Sequence, residues 1–459
     1  MTDSSGYDIV ILGGGSGGYA CALRAAELGK RVALIEKGKV GGTCLHRGCI
    51  PTKALLHAAE IADHTRDSAA FGVQATLQGI DMPGVNAYKD KVVTRLWKGL
   101  QGLIASRKID VIEGEGRLVS PTSVQVGDTV YTGAHVVLAS GSESRSLPGL
   151  AIDGQRVITS DHALTLDHVP TSAVILGGGV IGVEFASVWR SFGAEVTIVE
   201  MLPHLLPLEE ESSSKLLERA FRRRGIAQKL GVRFESVKDT GSGVVVTLEG
   251  GTTLEAELLL VAVGRGPVSA GLGYEEAGVE VERGFVKVDE YCQTRVPTIS
   301  AVGDLTPGLQ LAHVGFAEGI LVAERLAGLH VTPIDYDGVP RVTYSDPEVA
   351  SVGITSATAA ERGIETTEFT YDLAGNGKSQ ILQTQGAAKI IATAGGGPVL
   401  GVHLVGARVG ELIAEGQLIY NWEALPTEVA QLIHPHPTQS EAIGEAHLAL
   451  AGKPLHVHG

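Results

Sequence analysis

YDIVILGGGSGGYACALRAAELGKRVALIE, residues 7–36, sets the architecture of the chain. Residues 7–12 form a short apolar, β-branched run of the kind buried inside a parallel sheet. Gly13, Gly15 and Gly18 follow in GxGxxG spacing, a helix-like run reaches Leu28, and a second strand-like run ends on Glu36. Each position has a physical task. Gly13 makes the turn, Gly15 lets a pyrophosphate approach the backbone, and Gly18 lets helix and strand pack closely. The N–H groups at the helix start hold phosphates, and the terminal acid binds ribose hydroxyls. The three glycines alone are a weak signal; with both strands, the helix and the acid they are a strong one.

The unit recurs in SAVILGGGVIGVEFASVWRSFGAEVTIVE, residues 172–200, with Gly177, Gly179, Gly182 and a terminal Glu200. Two such folds imply two dinucleotides. Glu200 can bind a free 2′-hydroxyl but repels a 2′-phosphate, so the second site favours NAD over NADP. Glu184 lies just inside the second helix, where a bare dinucleotide site does not require it. By residue chemistry alone it is as readily a solvated acid near a helix start as a functional group.

Between the units stands TCLHRGCIPTK, residues 43–53. Pro51 opens an apolar-periodic run, and proline is favoured at the first helical position, which puts Cys49 at or just before a helix N-terminus. The dipole and N–H groups there stabilise a thiolate. Lys53 falls on the same helix face at i,i+4 spacing and adds positive charge. Cys44 and Cys49 therefore read as a redox-active pair. As a structural staple, so short a loop would contribute only about 2 kcal/mol. A zinc site would need further ligands, and only His46 and His57 lie near.

Composition narrows the class. The chain has 459 residues, 44% hydrophobic and 19% charged, as in ordinary globular proteins of about three domains. A net charge of −15 argues against nucleic acid or an anionic membrane as main partner. Four cysteines make no secreted disulfide framework. Cys21 in a helix-like run and Cys292 in a strand-like run read as buried fillers. No signal-peptide pattern and no membrane-length apolar run is evident, so the expected location is cytoplasmic.

Further along, residues 54–112 read as largely helical, and residues 129–142 as a hairpin returning to the first sheet. ELLLVAVGRGPV (257–268) and TISAVGDL (298–305) read as buried strands followed by glycine turns, the second ending on Asp304. ESSSKLLERAFRRRG reads as a solvated surface helix. From about Tyr336 the alternating pattern announces an antiparallel sheet and helices, an α+β domain without a nucleotide fingerprint. In IHPHPTQSEAIGEA, His436 with Glu441 reads as a general base oriented by a carboxylate. His434 and His436 lack a third ligand for a metal, and none is expected. The terminal LHVHG reads as a tail.

Taken together, GGTCLHRGCIPTKALL, both glycine units, ISAVGDL with LAHVGFAEG, PRVTYSDPEVASVG and HPHPTQSE make the chain resemble the pyridine nucleotide–disulfide oxidoreductases over essentially its whole length. The resemblance implies two Rossmann-like domains, for FAD and NAD, plus a C-terminal α+β dimerisation domain. The boundaries would be 1–149 for FAD and the redox disulfide, 150–270 for NAD, 271–339 completing the FAD domain, and 340–459 for the interface. It implies FAD held by Glu36, Gly13, Gly15, Gly18, Gly41, Gly42, Thr43, Lys53 and Asp304. Gly116 and Ala312 would add backbone contacts, and Ser140, Gly141 and Gly264 would also bind cofactor. NAD would lie on Gly177, Gly179, Gly182 and Glu200. Cys44 would exchange with substrate thiols, Cys49 would face the flavin, Lys53 and Glu184 would pair near it, and His436 with Glu441 would deprotonate the dithiol across a homodimer.

Within the family the pattern is most like members that oxidise protein-bound dihydrolipoyl groups. The implied partner is the lipoylated acyltransferase core of a 2-oxoacid dehydrogenase complex or a lipoylated glycine-cleavage carrier. One rival is an NAD(P)H-dependent reductase of a small disulfide of the glutathione or mycothiol type, against which Glu200 speaks. Another is a non-catalytic or quinone-type flavoprotein, against which Cys44, Cys49 and His436 speak. Three departures from the family pattern, Ser140, Val268 and Pro435, remove no catalytic group.

Overall fold

The computed structural model describes residues 3–457. The chain groups into two compact units, one of residues 1–54, 83–145 and 264–336 and the other of residues 55–82, 146–263 and 337–459.

In the first unit, the strands Asp110–Glu113, Val32–Glu36, Asp3–Leu12 and Thr129–Leu138 lie side by side and parallel, and Ile299–Ala301 adds to Thr129–Leu138. Ser123–Val126 and Gly116–Ser120 extend the sheet as an antiparallel meander, whereas residues 129–142, expected as a hairpin, run as the single strand Thr129–Leu138 followed by the short strand Ser142–Ser144. Side chains alternate across a strand. Ile9, Ile11, Leu34 and Val137 therefore share one apolar layer with Cys21 and Ala25 of helix Ser16–Glu27 and Val322 of helix Ala312–Leu326. Val10, Leu12, Ile35, Val136 and Leu138 face the other layer. A strand buried on both faces must be continuously apolar, which is what residues 9–12 and 32–35 show.

Cys21 and Cys292 are buried fillers, but Cys292 is not in a strand. It sits in a turn at φ 58°. The Asp289 carboxylate accepts the N–H groups of Tyr291 and Gln293, each at 2.9 Å, and so competes successfully with a strand ladder.

In the second unit, Ala227–Leu230, Glu195–Glu200, Ser172–Leu176, Leu258–Val261 and Val157–Ile158 form a parallel sheet in that order. Phe234–Asp239, Val244–Leu248 and Thr253–Ala256 make a separate antiparallel sheet. The expected α+β domain is present as an antiparallel sheet in the order Arg341–Thr343, Glu348–Gly353, Val399–Gly406, Ala387–Thr393, Thr366–Asp372. Helices Val409–Asn421 and Glu441–Leu450 pack on it through Ile413, Ile443 and Ala446.

Two expectations need correction here. The helix Glu211–Arg223 is not simply a solvated surface element. Glu210 at its start is buried and pairs with Lys389 at 2.9 Å, while Arg224 at its end pairs with Asp63 at 3.1 Å. The terminal segment is also tied down: the His456 ring meets Glu445 Oε1 at 2.7 Å, although residues 458–459 lie outside the described residues.

Candidate active site

The two glycine units adopt the same local geometry. Gly13 and Gly177 both have φ 112°, a left-handed conformation that favours glycine. A Cβ at Gly13 would lie 2.1 Å from the Ala139 carbonyl oxygen, and one at Gly177 2.3 Å from that of Ala262. A Cβ at Gly18 or Gly182 would meet the Gly13 or Gly177 oxygen at 1.9 or 2.0 Å, so both helices press on their strands. Gly15 and Gly179 cap the helices Ser16–Glu27 and Val180–Phe192, and neither cap is made by a side chain. The space beside them is open: the nearest atom to a Cβ on Gly15 is Gly42 Cα at 3.9 Å, and Gly179 has none within 4 Å.

The terminal acids are equally alike. Glu36 accepts the Gly14 and Gly38 N–H groups, each at 2.7 Å. Glu200 accepts those of Gly178 at 2.6 Å and Leu202 at 2.8 Å. A carboxylate has about four acceptor sites, so each keeps capacity for ribose hydroxyls. Helix starts without a side-chain cap, room for a phosphate and a braced acid fit a dinucleotide at both places.

The cysteine pair sits beside the first of these. Gly41 and Gly42, with φ 117° and 61°, bring the second glycine loop against Gly15, and Thr43 follows in the short helix Gly42–Arg47. That helix carries Cys44, and Cys49 is the first residue of helix Cys49–Asp67. The Cys44 thiol is hydrogen-bonded to Cys49, which, with burial and the Cys49 charge, pushes its pKa strongly up. The Lys53 ammonium and the Cys49 backbone N–H act the other way. Tyr19, which sequence reasoning passed over, lies within electrostatic range of both sulfurs. Burial first, then the charges of Cys44 and Cys49, push its hydroxyl up to about 12.

A polar chain leads from this pair to Asp304. Arg265 donates to the Ser142 hydroxyl at 2.8 Å, to the Ser142 carbonyl at 2.6 Å and to the Thr43 hydroxyl at 3.5 Å. The Ser142 hydroxyl donates to Asp304 Oδ2 at 2.5 Å. Ser142 and Arg265 lie on the antiparallel pair Ser142–Ser144 and Arg265–Pro267, where Ser142 is in register with Pro267 and Arg265 with Ser144, and neither was singled out from sequence. Ser140 gives its hydroxyl proton to the Val268 carbonyl at 2.5 Å and accepts that of Tyr274 at 2.9 Å. The Val268 N–H bonds Gly141 O at 2.9 Å, so position 268 works through its backbone and the missing asparagine side chain costs these bonds nothing. Gly116 is buried where a Cβ would meet Leu12 at 2.6 Å and Ile35 at 3.0 Å. Gly264 has φ 101°, and Ala312 opens the helix Ala312–Leu326.

Glu184 is 3% exposed, so it is no solvated acid; its Oε1 accepts the Tyr344 N–H at 3.0 Å. The two histidines of HPHP part company. His436 Nδ1 meets Glu441 Oε1 at 2.8 Å, and Glu441 Oε2 accepts the Thr438 N–H at 2.8 Å. Burial works against the Glu441 carboxylate, but the Thr438 N–H and the His436 ring outweigh it and hold its pKa below the ordinary value. The His436 ring is 77% exposed, as a base that must reach an external substrate requires. His434 turns instead to Glu415 at 2.7 Å, and that hydrogen bond raises its pKa despite burial. No metal-ligating cluster of three or more occurs among the described residues, and no helix there is long and apolar enough to cross a membrane.

Comparison with known proteins agrees with this geometry. The family profile of the pyridine nucleotide-disulphide oxidoreductases matches residues 7–319, and that of their dimerisation domain matches residues 339–447. Dihydrolipoyl dehydrogenase of Bacillus subtilis is 41% identical, covering 98% of this chain and 99% of the relative. The mitochondrial dihydrolipoyl dehydrogenase of Pisum sativum is 39% identical, covering 98% and 92%. The crystal structure of LpdA from Mycobacterium tuberculosis superposes with a TM-score of 0.90 at 28% identity, covering 98% of this chain and 100% of the other.

Proposed function

This chain belongs to the pyridine nucleotide-disulphide oxidoreductases, and we propose that it oxidises protein-bound dihydrolipoyl groups to lipoyl while reducing NAD to NADH. The observation that carries this reading is the hydrogen-bonded contact between Cys44 and Cys49, with Cys49 opening the helix Cys49–Asp67. A bound FAD supplies the relay that takes an electron pair from the dithiol and hands it on as hydride. The protein's own residues do the rest.

Starting from the Cys44–Cys49 disulfide, a substrate thiolate attacks Cys44 and displaces Cys49 as thiolate. The second substrate thiol then closes the lipoyl ring and releases Cys44. Two substrate S–H bonds are lost and one S–S bond is transferred; one proton passes to His436 and the other to the Cys44 sulfur as it is released. His436 accepts a proton from the attacking thiol, with Glu441 holding its Nδ1 and so orienting the ring. In this sequence Cys44, the sulfur attacked by substrate, carries the exchange, and Cys49, the sulfur displaced as thiolate at the helix start, carries the electron transfer.

In this reading Glu36, both glycine loops, Lys53, Asp304 and the backbone near Gly116 and Ala312 hold FAD, and Ser140, Gly141 and Gly264 also line cofactor. Gly177, Gly179, Gly182 and Glu200 hold NAD, and Glu184 pairs with Lys53. The protein works as a homodimer, in which His436 of one subunit serves the cysteine pair of the other. Its partner is a lipoylated acyltransferase core or a lipoylated glycine-cleavage carrier in the cytoplasm.

The test is Cys44→Ser. Dihydrolipoamide–NAD turnover should fall below a thousandth of wild type while NADH-driven reduction of a quinone persists. Retention of dithiol turnover would leave the disulfide without a role. A preference for NADPH and a small disulfide in the unmodified protein would favour the reductase reading instead.

A further inference from the structure

Glu318, in the LAHVGFAEG segment, takes no part in the chemistry described so far, yet it is 2% exposed on helix Ala312–Leu326. Its Oε2 accepts the Gly303 N–H at 2.6 Å, and its Oε1 accepts the Tyr336 O–H at 2.8 Å. Gly303 has φ 74° and opens the single turn Gly303–Leu305 that carries Asp304. The Asp304 carboxylate is gripped from another side by the Ser142 hydroxyl.

This is a costly arrangement. Glu318 forms no ion pair among the described residues, burial raises its pKa, and the nearby Asp304 charge raises it further. Gly303 and Tyr336 are the two donors that oppose this. A helix residue facing the interior is ordinarily apolar, and an unpaired buried carboxyl is kept where its acceptors hold something in place. Here they hold the left-handed residue immediately before Asp304. Without that acceptor, the Gly303 N–H is left unsatisfied inside the protein, and the short turn can relax by rotating its peptide.

We propose that Glu318, braced by Tyr336, is a positioning residue for the flavin: it locks the Gly303 turn and thereby aims Asp304 at the ribityl chain. This rests on the reading that Asp304 binds FAD. The pattern is readable only in three dimensions, since Glu318, Gly303 and Tyr336 come from a helix, a turn and a loop.

The test measures the FAD dissociation constant of flavin-stripped protein by fluorescence quenching, together with the visible spectrum of the rebound flavin. Glu318→Met fills the space without an acceptor, and Glu318→Gln keeps an oxygen for Gly303. Loss of one buried acceptor should raise the dissociation constant about 10- to 100-fold in Glu318→Met, with an altered visible band. Glu318→Gln should stay within about threefold of wild type. Tyr336→Phe should raise it about 3- to 10-fold, and it carries the test if Glu318→Met does not fold. Asp304→Asn is the control. If it leaves flavin binding unchanged, the reading of Asp304 fails. If it weakens binding while Glu318→Met and Tyr336→Phe do not, the positioning role alone is overturned. Equal weakening by Met and Gln would overturn it as well, because the acceptor would then not be what matters.

Discussion

Replacing Glu200 by Gln should turn the nicotinamide site from NAD towards NADP. The carboxylate terminates strand Glu195–Glu200, is 7% exposed, and is fixed by the Gly178 N–H at 2.6 Å and the Leu202 N–H at 2.8 Å. It cannot swing away from an incoming 2′-phosphate without breaking both bonds. Two like charges about 5 Å apart at an effective dielectric of about 20 repel by about 3 kcal/mol. That is about a hundredfold in relative binding at about 1.4 kcal/mol per decade. The neutral amide removes the repulsion but offers one oxygen where the carboxylate offered two. One of the two N–H groups is left poorly satisfied, at about 1–3 kcal/mol of stability. NAD loses its ionised ribose partner, about a tenfold effect. The ratio of kcat/KM for NADP over NAD should therefore rise by about 10²–10³, with a lower melting temperature. Steady-state rates with dihydrolipoamide and each nucleotide, at fixed ionic strength, give the ratio directly. A change below about threefold would refute the argument, because it would mean that Glu200 does not face the ribose.

Other substitutions probe the frame around the site. Lys389→Met strands Glu210, which pairs with Lys389 at 2.9 Å while Glu368 pairs at 2.8 Å, and should cost about 3–5 kcal/mol in denaturant unfolding. Adding Glu210→Gln should recover part of this loss; a double variant no better than the single would show that the pair is not a buried unit. Glu415→Gln removes the partner that raises the pKa of His434. A raised histidine stabilises the fold below its unfolded pKa, and the effect disappears as pH rises through the folded value. The variant should thus be destabilised near pH 5.5 and close to wild type near pH 9, as thermal melts would show; a pH-independent difference contradicts this. Gly182→Ala puts a Cβ 2.0 Å from Gly177 O, so the helix must lift from its strand. NAD should bind about 10- to 100-fold more weakly by calorimetry, with the flavin spectrum unchanged; undiminished NAD affinity would mean the helix start is not the phosphate site.

How much of this was legible depends on whether a constraint is local. Gly13, Gly18, Gly177 and Gly182 are readable because a left-handed turn and a close helix–strand approach admit no side chain, and their spacing is written in consecutive residues. Cys49 is readable because Pro51 fixes the helix start beside it. The antiparallel sheet after Arg341 shows in its alternation.

What stayed hidden depends on partners far along the chain. Ser142 meets Arg265 and Asp304, Glu318 meets Gly303 and Tyr336, and no local periodicity marks any of these contacts. Cys292 misled for a related reason: its segment has strand-like composition, and a single Asp289 side chain bends it into a turn. The charged ends of helix Glu211–Arg223 carry a pattern that normally means solvent, and only the tertiary partners Lys389 and Asp63 show otherwise.

The central claim is tested most directly by anaerobic reduction of the flavin-loaded protein with one equivalent of dihydrolipoamide, followed by NAD. A long-wavelength band from the Cys49 thiolate beside the flavin should appear, and NAD should discharge it with formation of about one equivalent of NADH. No band with dihydrolipoamide, and the same band produced by NADPH, would contradict the account and mark the protein as a reductase of a small disulfide.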